Sequence, residues 1–184
     1  MASSKVSFDS RLVRQLGVAA AAPGLIVAAG FASESALAAH FIVGSPTYDT
    51  LPATLVYVAA VLALAAVIGV VGTEGRIAAP DRGLSIWLIA SSAILTVFFG
   101  LLSILGAQFW AASRDAGPAE TAVACLLYFA SFAGPAIASL ASAVLIFGRR
   151  THPLPVWLPS LIFLAVVGAS VLVLVCFGLG ESMR

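Results

Sequence analysis

Four stretches of this chain, residues 51–73, 84–110, 120–147 and 154–178, are long and apolar enough to cross a lipid bilayer unaided. A helix rises about 1.5 Å per residue, so about 20 apolar residues match a hydrocarbon core of about 30 Å. Apart from Glu120 at the edge of the third stretch, none of them contains a charged residue. Such stretches leave the chain few ways to fold. In lipid, every backbone N–H and C=O must find its partner within the protein, which allows helices or a closed barrel. The barrel signature, strict alternation of apolar and polar residues, is missing from all four. Composition agrees. Of 184 residues, 61% are hydrophobic and only 9% charged, whereas soluble domains are about a quarter charged. A net charge of +1 supplies no basic field for phosphate, so nucleic acid is excluded as a partner. The expected fold class is an all-α integral membrane protein, a single membrane domain with short loops.

A fifth, weaker span is expected near residues 13–32, where four alanines precede Pro23 and Gly24. Its end is set by Glu34. An ionised carboxylate near mid-bilayer costs about 2.5–3.5 kcal/mol, too much for so weak a segment. The span is therefore predicted to stop near Ala32, with Glu34 at the headgroups and residues 36–43 forming a short interfacial helix or an extra turn. The alternative is one tilted helix with Glu34 protonated or paired.

Basic residues give the direction of threading. With five spans, Lys5, Arg11, Arg14, Arg76, Arg82, Arg149 and Arg150 fall on one side, and only Arg114 and Arg184 on the other. This predicts an N-inside, C-outside bundle of five transmembrane helices. The basic start, the apolar run and Ala36-Leu37-Ala38 also resemble a cleavable signal. The basic, serine-containing start also resembles a mitochondrial presequence, which Asp9 weakens. Retention as a true span is the preferred reading; a chain without that span would leave the three N-terminal basic residues on the charge-poor side, which supports the count of five. Helix starts follow from Pro52, Pro118 and Pro153 with Pro155, since proline at the first helical position loses nothing. Asp115 or Gly117 is expected to cap the helix that follows.

Between apolar helices in lipid, close backbone approach drives association, and small residues permit it. Ser92, Thr96 and Gly100, continued by Ser103 and Ala107, form one such ladder. Ala130, Gly134, Ala138 and Ser142 form another. Four-residue spacing keeps each on one helix face, so these are the expected helix-packing residues. Weaker ladders run through Gly24, Ala28 and Ala32 and through Ala65, Gly69 and Thr73. The bulky Phe98, Phe99, Phe129, Phe132 and Phe163 are then expected to face lipid or a partner. Pro135 removes the N–H that would pair the Ser131 carbonyl and should bend its helix; a serine or a neighbouring helix is expected to answer the freed group. Pro23 poses the same problem in the first span. Cys125 and Cys176 are expected at similar depth near the outer boundary, as two free thiols.

Little in the sequence carries chemistry. His40 and His152 fall on opposite sides, no span holds a histidine for a haem, and no HExxH, CxxC or phosphate-loop pattern occurs. No metal site, catalytic residue or tightly held cofactor is expected, although lipid or pigment could sit between spans. Ion pumping normally leaves ionisable groups in the membrane, and only Glu34 is marginal. The leading expectation is a non-catalytic, multi-pass subunit or scaffold of a plasma membrane or an organelle's inner membrane. It would pack against membrane lipids and either other transmembrane proteins or copies of itself. A small oligomeric transporter or channel for a neutral or lipid-like solute is the alternative, with Glu34 and Pro135 as working parts. A lipid-modifying enzyme using Glu34, His40 and Asp49 is third.

Overall fold

The computed structural model describes residues 10–38, 50–77, 82–148 and 155–182. Among these, all regular structure is helical: α1 (Ser10–Ser33), continued by a π turn over Glu34–Ala38, then α2 (Thr50–Ile77), α3 (Arg82–Arg114), α4 (Pro118–Gly148) and α5 (Leu158–Ser182). All five helices are long and apolar enough to cross a membrane, and together they support a multi-pass membrane protein. With 33 and 31 residues, α3 and α4 run to about 45–50 Å, longer than a hydrocarbon core of about 30 Å.

Helix α4 is the hub. It packs against α3 and α5 most extensively and also meets α1, α2 and the π turn. Its sequence explains this position. Ala130, Ser131, Ala133, Gly134, Ala136, Ala138, Ser139, Ser142 and Ala143 put small residues on every face, so neighbours approach from several directions. In the most apolar 18 residues of each helix, 61% are buried in α4, against 28% in α3 and 22% in α5. The remaining contacts pair α1 with α2, α1 with α3, α2 with α5, and the π turn with α1, α2 and α5. The bundle thus pairs α1 with α2 across a layer of α3, α4 and α5.

Cross-helix contacts fix the directions. Ser92 meets Ser139 and Gly100 meets Phe129, so α3 and α4 are antiparallel. Ser142 meets Pro159 and Gly134 meets Ser170, so α4 and α5 are antiparallel too. Trp87 meets Ala19 and Phe99 meets Gly30, so α1 and α3 are parallel. The start of α1 and the end of α5 consequently lie at opposite ends of the bundle.

The α3–α4 turn is built from two local devices. Asp115 has φ 51°, and the Ala116 N–H donates to the Ala111 carbonyl at 3.1 Å. That six-residue closure around a left-handed residue is a Schellman ending. Nearby, the Glu120 carboxylate accepts from the Gly117 N–H at 3.1 Å, half of a capping box with Pro118 in the first helical position. Gly117 is therefore the cap of α4, and Asp115 ends α3. At the start of α5, Pro155 lies outside the helix, which begins at Leu158. Pro153 lies outside the described residues.

The apolar interior corrects one expectation. Phe99 and Phe163 are completely buried and Phe132 nearly so, while Phe98 and Phe129 are exposed. The small-residue seams do not exclude large rings; bare backbone opposite a ring makes room for it. Gly30 of α1 lies directly on the Phe99 ring, and a Cβ there would sit 2.7 and 2.8 Å from its Cε atoms.

Candidate functional site

Apart from Tyr57 and Tyr128, the polar side chains buried among the described residues are all serines: Ser33, Ser85, Ser91, Ser92, Ser103, Ser131, Ser139 and Ser142. A buried hydroxyl without a partner is costly in an apolar medium, and several of these spend their proton locally. Ser91 donates to the Leu88 carbonyl, Ser103 to that of Phe99 and Ser131 to that of Tyr128. Such back-bonds hide a hydroxyl inside its own helix. Three other bonds cross between helices, and these define the site.

The first joins α1 to α4. Ser33 Oγ donates to the Ser131 carbonyl while also facing the Gly30 carbonyl at 2.8 Å. Ser131 stands four residues before Pro135, so its carbonyl has lost its intrahelical donor. The neighbouring-helix answer expected for this gap is therefore Ser33. The second joins α3 to α4: Ser92 Oγ donates to Ser139 Oγ at 3.0 Å. The third joins α4 to α5, where Ser142 Oγ is shared between the Ala138 and Pro159 carbonyls at 2.9 and 2.8 Å.

A fourth cross-helix bond repeats the logic of the first. The Trp87 Nε1–H donates to the Ala19 carbonyl at 2.8 Å. Ala19 stands four residues before Pro23, so this carbonyl too has been freed by a proline. Pro23 and Pro135 thus each expose an acceptor inside a helix, and a side chain from another helix takes it.

Around the Ser33–Ser131 contact lies a cluster of rings. Phe99 stacks on Phe132 with centroids 6.1 Å apart, and Tyr128 stacks on Phe132 at 6.2 Å. Phe31 and Phe98 meet Phe99 edge-on at 5.8 and 5.4 Å. Offset and edge contacts of this kind suit the ring quadrupole and rigidify the junction.

The expected packing residues fall into two sets. On α4, Gly134 lies against Ser170, where a Cβ would stand 3.0 Å from Oγ, and Ser142 bonds Pro159, so this edge faces α5. Ala138 is fully buried and Ala130 half-buried. On α3, Ser92 bonds Ser139 and Gly100 lies against Phe129, so that ladder faces α4. Thr96 donates to the Ser92 carbonyl at 2.8 Å within its own helix. A further edge of α4, with Ser131, Pro135 and Ser139, meets α1 and α3, and the small-residue ladders do not point to it. A signal for it exists in the sequence, since a serine four residues before a proline marks a free acceptor.

Glu34 is exposed at the first position of the π turn, with Ser35 Oγ donating to its carboxylate at 3.5 Å. The Tyr128 ring lies against Gly106, one turn before Trp110 on α3. One turn below Arg114, Trp110 lies under its guanidinium, 5.6 Å from the ring centroid, a cation–π pair at four-residue spacing. The Trp110 Nε1 is buried without a hydrogen-bond partner among the described residues. This end of the bundle therefore gathers Glu34, Trp110, Arg114 and Tyr128, whereas His40 and Asp49, the other members of the suggested outer cluster, lie outside the described residues, as does His152. Cys125 is half-buried and Cys176 exposed, both as free thiols. No group of three or more His, Cys, Asp or Glu side chains able to hold a metal occurs among the described residues.

No known protein family, curated protein or solved structure matches the chain.

Proposed function

We propose that this chain is a non-catalytic integral membrane subunit or scaffold, threaded N-inside and C-outside, that packs its outer helix faces against partner transmembrane helices or a second copy of itself. One observation carries the reading: seven of the eight buried serines named above, all but Ser85, have hydroxyls engaged in bonds within or between helices, while large apolar side chains crowd the outside. On α3 alone, Ile94, Val97, Leu101 and Phe109 are 69, 64, 59 and 76% exposed. A surface of that kind seeks lipid or other apolar helices. Purification in a mild detergent tests it. A protein or a further copy should co-purify in fixed ratio; a stable monomer with nothing bound counts against the proposal.

A second reading draws on the indirect link between Glu34 and Pro135 through Ser33 and the Ser131 carbonyl. Ser33, the neighbour of Glu34, bonds the carbonyl that Pro135 frees, so a carboxylate at one end of the bundle is coupled to an interior helix break. That pairing favours a small transporter. Solute flux into liposomes is the measurement, and unaltered flux in Glu34→Gln and Pro135→Ala variants would remove both residues from any such mechanism.

A further inference from the structure

We propose that α1 is a latched element, held shut against α3 and α4 by two hydrogen bonds that each land on a carbonyl freed by a proline. The inference is independent of the scaffold reading. An ordinary bond from a side chain to a helical carbonyl adds a second donor to an acceptor already paired in its own helix. Here the Ala19 and Ser131 carbonyls have lost the intrahelical donor, because Pro23 and Pro135 carry no N–H. The Trp87 indole and the Ser33 hydroxyl take its place. Leaving either carbonyl bare in an apolar medium is costly, so each bond favours the closed form. Opening, however, breaks no helix's own hydrogen-bond ladder.

The geometry suits a latch at each end. Ala19 and Ser33 are fourteen residues apart on α1, about 21 Å along the axis. Between them, Gly30 rests its bare backbone on the face of Phe99, a flat contact with no glycine side chain locked into a socket. On release, the Ser33 proton still has the Gly30 carbonyl at 2.8 Å, so only the carbonyl on α4 is stranded. The other cross-layer bond, from Ser160 Oγ to the Ala65 carbonyl, is longer at 3.3 Å and meets a carbonyl with no proline four residues ahead of it. Removing one latch should therefore free one end of α1 while the other stays pinned, a two-position device of the hinge type.

The test uses the full chain with Cys125 and Cys176 replaced by alanine, in phosphatidylcholine nanodiscs, with spin-label pairs at the exposed positions Leu16 and Ala90 near one end and Ser35 and Phe109 near the other. Ser33→Ala should broaden the distance distribution about twofold at the Ser35–Phe109 end and leave the Leu16–Ala90 end narrow, the local response of one released contact rather than of general loosening. Trp87→Phe should do the reverse. In a Pro135→Ala background, the backbone N–H restored at position 135 pairs the Ser131 carbonyl, and Ser33→Ala should then broaden nothing, because the coupling between the two positions is gone. Equal broadening in both backgrounds, equal broadening at both ends, or no broadening overturns the proposal. Should Pro135→Ala fail to fold, Trp87→Phe in a Pro23→Ala background decides by the same criterion.

Discussion

Ser33 of α1 donates its hydroxyl proton to the Ser131 carbonyl of α4, the very acceptor that Pro135 leaves without an intrahelical donor. A break in one helix thereby becomes a point of attachment for another. Replacing Ser33 by alanine strands that carbonyl, at a cost of about 0.6–2 kcal/mol for an interhelical bond in a membrane. Unfolding titrations in mixed micelles should register a loss of that size, and Ser33→Thr, which keeps the hydroxyl, should recover most of it.

Gly30 should tolerate no side chain. Its Cβ would press into the buried Phe99 ring, and overpacking of this kind costs about 1–3 kcal/mol. Gly30→Ala should lower the thermal midpoint, and adding Phe99→Leu should restore part of the loss. A Gly30→Ala protein as stable as the parent would show that α1 and α3 are not in contact there.

The Ser92–Ser139 bond should behave as a pair. Each single alanine variant removes one hydroxyl and leaves the other facing an apolar neighbour, so the double variant should cost less than the sum, with a coupling of about 0.6 kcal/mol. Additive losses would dissolve the pairing.

Asp115 ends α3 at φ 51°, a conformation in which a Cβ costs about 1–2 kcal/mol relative to glycine, less for aspartate, which tolerates it. Asp115→Gly should raise the thermal midpoint by a few degrees, and Asp115→Val should lower it by more. Neither change should alter the other helices, and circular dichroism should show unchanged helix content.

The helix directions place the start of α1 and the end of α5 at opposite ends of the bundle. Tags at the two termini should therefore react with an impermeant reagent from opposite faces of a sealed vesicle. In right-side-out vesicles the C-terminal tag should label at once and the N-terminal tag only after permeabilisation. Labelling of both from one face would break the threading.

Much of this architecture is legible in the residues. Apolar length alone names four of the five helices, because lipid leaves a backbone no other way to pair its polar groups; the first rests on a weaker run and on the sidedness of the basic residues. Pro118, Gly117 and Glu120 announce the start of α4 through neighbours in the chain, and Pro135 identifies the Ser131 carbonyl as the one in need. The partner for that carbonyl is not legible. Ser33 is 98 residues away, one serine among many, and nothing local distinguishes it. The burial of Phe99, Phe132 and Phe163 escapes sequence reading for a related reason: the rule that small residues make seams says where backbones come close, not which large ring fills the space opposite a glycine.

The sequence by itself determined what its short-range physics controls: helix number, approximate helix extent, and the places where prolines interrupt the backbone ladder. Only the tertiary structure decided which helix stands at the centre and which side chains answer the interruptions. Those outcomes depend on the rotation and depth of each helix against its neighbours, and in a chain of alanine, glycine and serine many rotations present nearly equivalent faces until all five helices pack together.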